Sequence, residues 1–106
     1  MVIEIKSDQL TVQFKTLGGA LSSIKDREGI EYLWQGDATY WSGQAPVLFP
    51  ICGSLREDTA SYSHEDGTET KGNIPRHGLV RKKEFDLVDQ TENSVTFAIE
   101  YDENTY

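Results

Sequence analysis

With 106 residues, the chain is long enough for one domain, because a domain of this size buries roughly two-thirds of the surface that its unfolded chain exposes. The formal net charge of −8 excludes nucleic acid and anionic membranes as favoured partners, since both would be repelled. The single cysteine, Cys52, excludes an internal disulfide, and its apolar neighbours predict a buried side chain. With no signal-peptide pattern and no apolar run long enough to span a bilayer, the sequence predicts a soluble cytoplasmic protein.

Alternating apolar and polar residues predict strands in the first third of the chain. Residues 3–6 and 10–14 alternate in this way around a polar turn and predict a hairpin, and residues 20–25 predict a short strand. The period of two resumes at residues 30–34, where we expect a further strand of a meander. Because no window carries a helical stripe, the predicted class is all-β.

The segment of residues 35–45 loses this alternation and predicts a loop. Tyr40 and Trp41 stand side by side in it. One interpretation is a carbohydrate platform or lid, because a flat ring stacks on the C–H face of a sugar while its polar edge stays hydrated. The other is an aromatic plug at the end of a sandwich. The sequence leaves both open.

The most apolar run of the chain covers residues 46–52 and contains two prolines, which cannot donate to a strand ladder. It predicts an edge strand or a buried extended crossover. Arg56 follows a turn just beyond this run and needs a polar partner for its guanidinium group. A ligand hydroxyl is one candidate, and Glu57, Asp58 or solvent is the other.

Two further hairpins are predicted in the second half. Residues 59–64 and 68–71 flank an Asp-Gly pair, which is a strong hairpin signal, and His64 is expected to be exposed there without a functional role. Residues 83–89 and 95–101 predict two strands around the turn at residues 91–94. No repeat, linker or low-complexity segment divides the chain.

The most informative loop lies at residues 74–85, IPRHGLVRKKEF, between two predicted β regions. Pro75 and Gly78 constrain the turn that carries His77. With Arg81 nearby in an otherwise acidic chain, His77 could donate hydrogen bonds to a hydroxylated or anionic ligand. The alternative is a structural histidine that caps a turn. Glycine-rich phosphate loops, CxxC and HExxH spacings and the GxSxG elbow are all absent from the sequence.

These blocks resemble the aldose 1-epimerase (galactose mutarotase) family, in particular its LacX-like branch. The residues that carry the resemblance are 32–55, YLWQGDATYWSGQAPVLFPICGSL, the hairpin with the Asp-Gly turn, and 74–88, IPRHGLVRKKEFDLV. The resemblance implies an antiparallel β-sandwich of the supersandwich type with a sugar pocket. It implies a cofactor-free isomerase that interconverts the α and β anomers of an aldohexose by acid/base ring opening.

The same resemblance implies roles for particular residues. His77 matches the first of the family's two site histidines, and Arg56, Arg81 and Trp41 are the expected substrate-binding residues, although Arg56 lies two positions beyond the Gly-Arg-Leu arginine of many members. The family's second histidine and catalytic glutamate are expected beyond Tyr106. Residues 1–106 are therefore expected to form one β domain, an amino-terminal fragment of a larger supersandwich.

Such a fragment is expected to be inactive alone and to self-associate through unpaired strands. A non-catalytic carbohydrate-binding module and a structural or interaction domain are the alternative functions.

Overall fold

Antiparallel strands make up the regular structure of the chain, for which the computed structural model describes residues 1–105. The strands are β1 Val2–Lys6, β2 Leu10–Lys15, β3 Ala20–Asp26, β4 Thr59–Ser63, β5 Glu69–Asn73, β6 Asp86–Gln90 and β7 Val95–Ala98. One irregular 3₁₀ turn, Arg56–Asp58, precedes β4. The seven strands form three sheets, β1-β2-β3, β4-β5 and β6-β7. The predicted all-β class is confirmed.

The three-stranded sheet is a meander whose register follows the apolar alternation. Ile3 pairs with Phe14, and Val12 pairs with Ile24 on the next strand. The Ser7 hydroxyl accepts two backbone N–H bonds inside the first turn, at 3.1 and 3.0 Å, which fixes the hairpin geometry. The predicted hairpin and the third strand are both confirmed.

The β4–β5 hairpin turns where the Asp-Gly pair predicts. Gly67 has a left-handed φ of 85°, and the Asp66 carboxylate accepts the Thr68 N–H at 3.0 Å. The β6–β7 hairpin also forms, but β7 ends at Ala98, so the predicted strand 95–101 is only half realised.

The strand predicted at residues 30–34 is wrong. The segment makes a single bridge, from Glu31 to Lys25, and no strand. The Glu31 carboxylate accepts the backbone N–H of Ile24 at 2.7 Å and that of Leu33 at 3.1 Å. Because a side chain takes donors that a strand ladder would use, the alternation here does not become a strand.

The apolar run at residues 46–52 is neither an edge strand nor a buried crossover. It contains one isolated bridge, from Phe49 to Gly78, and the Phe49 side chain is 62% exposed. Cys52 is exposed as well, so its predicted burial is wrong. An apolar sequence is buried only if other elements cover it, and no described element covers the outer side of this run.

The packed interior of the described residues is small. Its buried apolar residues are Ile3, Ile74 and Val80. Phe14 of β2 and Phe97 of β7 meet edge to face with ring centroids 6.0 Å apart, which packs one hairpin on the first sheet. The radius of gyration is 17.3 Å, against about 13 Å for a compact domain of this length. The molecule is extended and flat, with dimensions of 58, 35 and 18 Å along its three principal axes.

Candidate functional site

Backbone hydrogen bonds clamp the loop of residues 75–78 at both of its ends. At the near end, buried Ile74 donates its N–H to the Asp58 carbonyl at 2.7 Å. At the far end, Leu79 donates to the Phe49 carbonyl at 2.7 Å. The loop therefore bridges the 3₁₀ turn and the apolar run that precedes it.

His77 is held in this loop by two hydrogen bonds to one residue. Its backbone N–H donates to the Gly53 carbonyl at 2.7 Å, and the Gly53 N–H donates to Nδ1 of the His77 ring at 3.0 Å. A neutral imidazole whose Nδ1 accepts a hydrogen bond carries its proton on Nε2. The pairing with Gly53 thus leaves Nε2–H of His77 as the hydrogen-bond donor of the ring.

Gly78 is required by the close approach of the loop to the apolar run. Its φ is +86°, and a Cβ placed there would lie 2.1 Å from the Phe49 carbonyl oxygen. His77 itself has a left-handed φ of 66°, which is uncommon for a residue with a side chain. The loop is thus constrained, as the sequence predicts.

The other predicted site residues occupy three different places. Arg56 is exposed on the 3₁₀ turn, which the bond between Ile74 and Asp58 brings beside the His77 loop. Arg81 is exposed just beyond that loop. Trp41 lies in the separate loop at residues 35–45. Within residues 1–105, no hydrogen bond or ion pair joins the side chains of these three residues to His77.

The aromatic loop around Trp41 has internal structure of its own. Nε1–H of Trp34 donates to the Trp41 carbonyl at 2.8 Å, and the rings of Trp34 and Tyr40 meet edge to face at 6.3 Å. The Gln44 amide donates to the Trp34 carbonyl at 2.9 Å. Tyr40 and Trp41 are nevertheless 80% and 54% exposed, so neither ring is a plug within the described residues.

Two carboxyl groups whose pKa is lowered, those of Asp26 and Glu31, lie at the end of β3 and in the segment that follows it. The hydrogen bond from the Tyr32 hydroxyl lowers the pKa of Asp26 below its ordinary 3.8 and raises the pKa of Tyr32 above 10.0. A hydrogen bond from the Ser23 hydroxyl is the largest cause that lowers the pKa of Glu31. These groups hold the chain beside β3 and form no acid/base pair with His77.

A groove of about 600 Å³ lies between the β4–β5 hairpin and the segment after β7. Phe49, Tyr62, Leu79, Val80 and Ile99 are among its lining residues. None of the four predicted site residues lines it. His64 does, and it is exposed as predicted, with Nε2 2.7 Å from the Thr70 hydroxyl.

Sequence reasoning missed Gly53 as the partner of His77. The only local signal is a glycine directly after the apolar run, and its φ of +89° shows why a glycine stands there.

Among the described residues, no group of three or more His, Cys, Asp or Glu side chains could hold a metal ion. None of their helices is long and apolar enough to cross a membrane.

Comparison with known proteins identifies the family of the chain. The family model described as aldose 1-epimerase matches residues 1–106. The chain belongs to the aldose 1-epimerase family. The resemblance seen in the sequence is thereby confirmed.

Relatives within this family include the chromosomal and plasmid forms of protein LacX from Lactococcus lactis subsp. lactis. They are 64% and 63% identical to this chain over 99 residues, which are 93% of it. The match covers 33% of either relative, so the chain spans about a third of their length.

Two solved structures share the fold. They are a galactose mutarotase related enzyme from Lactobacillus acidophilus, with a TM-score of 0.86 at 30% identity, and a galactose mutarotase-like protein from Lactobacillus casei, with 0.85 at 28%. Each match covers 99% of this chain and 34% of the other. The predicted mutarotase-like β-sandwich class is confirmed.

Proposed function

We propose that this chain supplies part of the sugar site of an isomerase that interconverts the α and β anomers of an aldohexose. Family membership supports the reaction class. We assign a role in this site to His77 because the Gly53 N–H donates a hydrogen bond to its Nδ1. This bond leaves the Nε2–H of His77 to donate to a ligand. A ring oxygen is an acceptor and suits this donor.

The reaction needs an acid and a base at the anomeric centre. A base takes the proton of the anomeric hydroxyl, the bond between C1 and the ring oxygen breaks with its electron pair passing to that oxygen, and an acid gives the ring oxygen a proton. Rotation about C1–C2 and the reverse steps then give the other anomer. In this scheme Nε2–H of His77 binds the ring oxygen and assists its protonation.

The remaining groups of the site have binding roles in this proposal. Arg56, beside the His77 loop, and Arg81, just beyond it, donate to sugar hydroxyls through their guanidinium groups, and Trp41 stacks on the sugar ring. The reaction uses no cofactor and takes place in the cytoplasm. We assign neither that acid nor the general base to a residue of this chain, so the 106-residue chain alone should not accelerate anomer exchange above buffer.

The test joins this chain to the part of LacX that follows the matched third. NMR exchange spectroscopy or polarimetry then measures anomer exchange of glucose and galactose. His77→Asn keeps a side-chain donor of similar reach but cannot carry a proton at neutral pH. We expect kcat to fall by roughly 10²-fold or more, the usual scale of a lost acid–base group.

The control is His64→Asn, since His64 is the only other histidine in the chain and lies on an exposed hairpin. It should leave kcat within a factor of two. A higher KM with unchanged kcat in His77→Asn would limit His77 to sugar binding. Full activity with a large loss of stability would make it a structural histidine and refute the proposal.

The exposed rings of Tyr40 and Trp41 favour a second candidate function, a non-catalytic carbohydrate-binding module. In that case the fusion should bind a hexose, as measured by calorimetry, without accelerating exchange. Trp41→Ala should then abolish binding.

A further inference from the structure

Three residues other than glycine have a left-handed backbone within residues 1–105, and all three lie at one place. Glu57 and Asp58 have φ of 55° and 54° in the turn before β4, and His77 has φ of 66°. This conformation is uncommon for residues with a Cβ, and such residues cluster at active sites and ligand clamps. Aspartate and histidine tolerate it better than most residue types, so Glu57 is the least expected of the three.

Hydrogen bonds tie the segment of residues 53–58 to the His77 loop at both of its ends. At one end, Gly53 exchanges two bonds with His77, at 2.7 and 3.0 Å. At the other end, the Asp58 carbonyl accepts the Ile74 N–H at 2.7 Å. A side chain that stands between these two ties is therefore held beside the histidine.

The segment is longer than the loop that it faces, and its extra length forms the turn. Residues 74–77 cover at most about 10 Å, whereas residues 53–58 would cover about 17 Å if they were extended. The bond from Asp58 N–H to the Leu55 carbonyl, at 3.1 Å, closes the turn. Arg56 begins this turn, and the two left-handed residues that follow it complete the turn.

Side-chain contacts do not account for the left-handed pair. Within residues 1–105, the exposed side chains of Arg56, Glu57 and Asp58 form no hydrogen bond or ion pair. The backbone of the turn is held instead by Thr59, whose hydroxyl donates to the Glu57 carbonyl at 2.9 Å and whose N–H donates to the Arg56 carbonyl. The contacts of the turn thus fix its backbone and leave the Arg56 guanidinium to donate to a ligand.

We propose that Glu57 and Asp58 are positioning residues, whose left-handed backbone holds the Arg56 guanidinium beside His77 to donate to a hydroxyl of the bound sugar. The sugar-binding role of Arg56 belongs to the proposed function, on which this inference rests. A guanidinium on a fixed turn loses less freedom on binding than one on a mobile loop, so the turn increases sugar affinity. Neither carboxylate needs to contact the sugar for this role.

The test uses the fusion of this chain with the part of LacX that follows the matched third, and it measures KM and kcat for anomer exchange. Glu57→Val places a β-branched residue, which disfavours a positive φ, in the turn. We expect KM to rise about tenfold or more, the scale of a lost hydrogen bond to a charged group, with kcat within about a factor of two. Because position 57 is exposed, the circular dichroism spectrum should not change.

Two matched variants separate the effect of the backbone from that of the charge. Glu69→Val makes the same side-chain change at an exposed position of strand β5, where the backbone is extended. Glu57→Asn removes the charge but suits a left-handed backbone. Both variants should keep KM within about a factor of two of the parent fusion.

A double variant tests whether the turn acts through Arg56. Arg56→Ala should raise KM as much as Glu57→Val does. The combination of the two changes should raise KM no further, because a displaced guanidinium and an absent one are equivalent for binding.

An unchanged KM in Glu57→Val would overturn the inference, and so would an equal rise in Glu57→Asn or a further rise in the double variant. Loss of kcat and of the circular dichroism spectrum in Glu57→Val would limit the turn to a structural role and overturn it too. A parent fusion that binds a hexose without anomer exchange would refute the proposed function, and calorimetric affinities of the same variants would then decide this inference by the same criteria. A parent fusion that binds no hexose would overturn both.

Discussion

Replacing Gly78 with alanine should destabilise the protein several times more than the same change at Gly67. Both glycines have the same left-handed backbone, with φ of +86° and +85°. A new Cβ meets nothing within 4 Å at Gly67, but at Gly78 it would lie 2.1 Å from the Phe49 carbonyl oxygen. The loss of stability in Gly67→Ala therefore measures backbone strain alone. The additional loss in Gly78→Ala measures the effect of the contact with Phe49 that holds the His77 loop.

The structure sets the expected magnitudes. Left-handed strain on an alanine costs about 1–2 kcal/mol at either position. At Gly78 the loop must also move away from Phe49, which breaks the 2.7 Å bond from Leu79 N–H and costs about 1 kcal/mol more. Partial exposure of Val80 next to the loop adds about 1–2 kcal/mol. We expect about 3–5 kcal/mol for Gly78→Ala and about 1–2 kcal/mol for Gly67→Ala.

Urea unfolding followed by far-ultraviolet circular dichroism measures both changes. With an m-value of about 1.5 kcal/mol/M, the midpoint should fall by about 2–3 M for Gly78→Ala and by about 1 M for Gly67→Ala. Equal shifts for the two variants would refute the reasoning, because the close contact with Phe49 would then contribute nothing to holding the loop.

Three further measurements address the tautomer of His77, the acid stability and the assembly of the chain. Nitrogen-15 NMR of the two histidines should show His77 as the Nε2–H tautomer at pH 8, and a dominant Nδ1–H form would contradict the bond from Gly53 N–H. The lowered pKa values of Asp26 and Glu31 add stability that is present above their ordinary values of 3.8 and 4.5 and is lost as the pH falls through the lowered values. Acid unfolding of Asp26→Asn should accordingly depend less steeply on pH than that of the parent chain, and equal slopes would count against this contribution. The chain should self-associate or bind a hydrophobic dye in light-scattering and fluorescence measurements, because its hairpin edges are unpaired within residues 1–105. A monodisperse monomer without dye binding would show that it closes its own core.

Local sequence determined most of the strand structure because its signals act over a few residues. The alternation places the apolar side chains of β1 and β2 on the same face of the sheet. Only one pairing register of the first hairpin achieves this, so the register follows from the sequence. The Asp66-Gly67 pair supplies the left-handed turn of the second hairpin. Pro75 and Gly78 likewise indicate that His77 sits on a constrained loop, before any contact is known.

Tertiary structure alone decided burial and the partner of His77. The Glu31 carboxylate takes backbone donors and prevents the strand that alternation predicts. Cys52 is exposed because burial depends on which elements cover the apolar run, and local hydrophobicity does not contain that information. Gly53 and His77 are 24 residues apart, and only the folded chain places the Gly53 N–H at Nδ1. A hydrogen bond between such distant residues depends on the path of the whole chain, so no local pattern in the sequence can predict it.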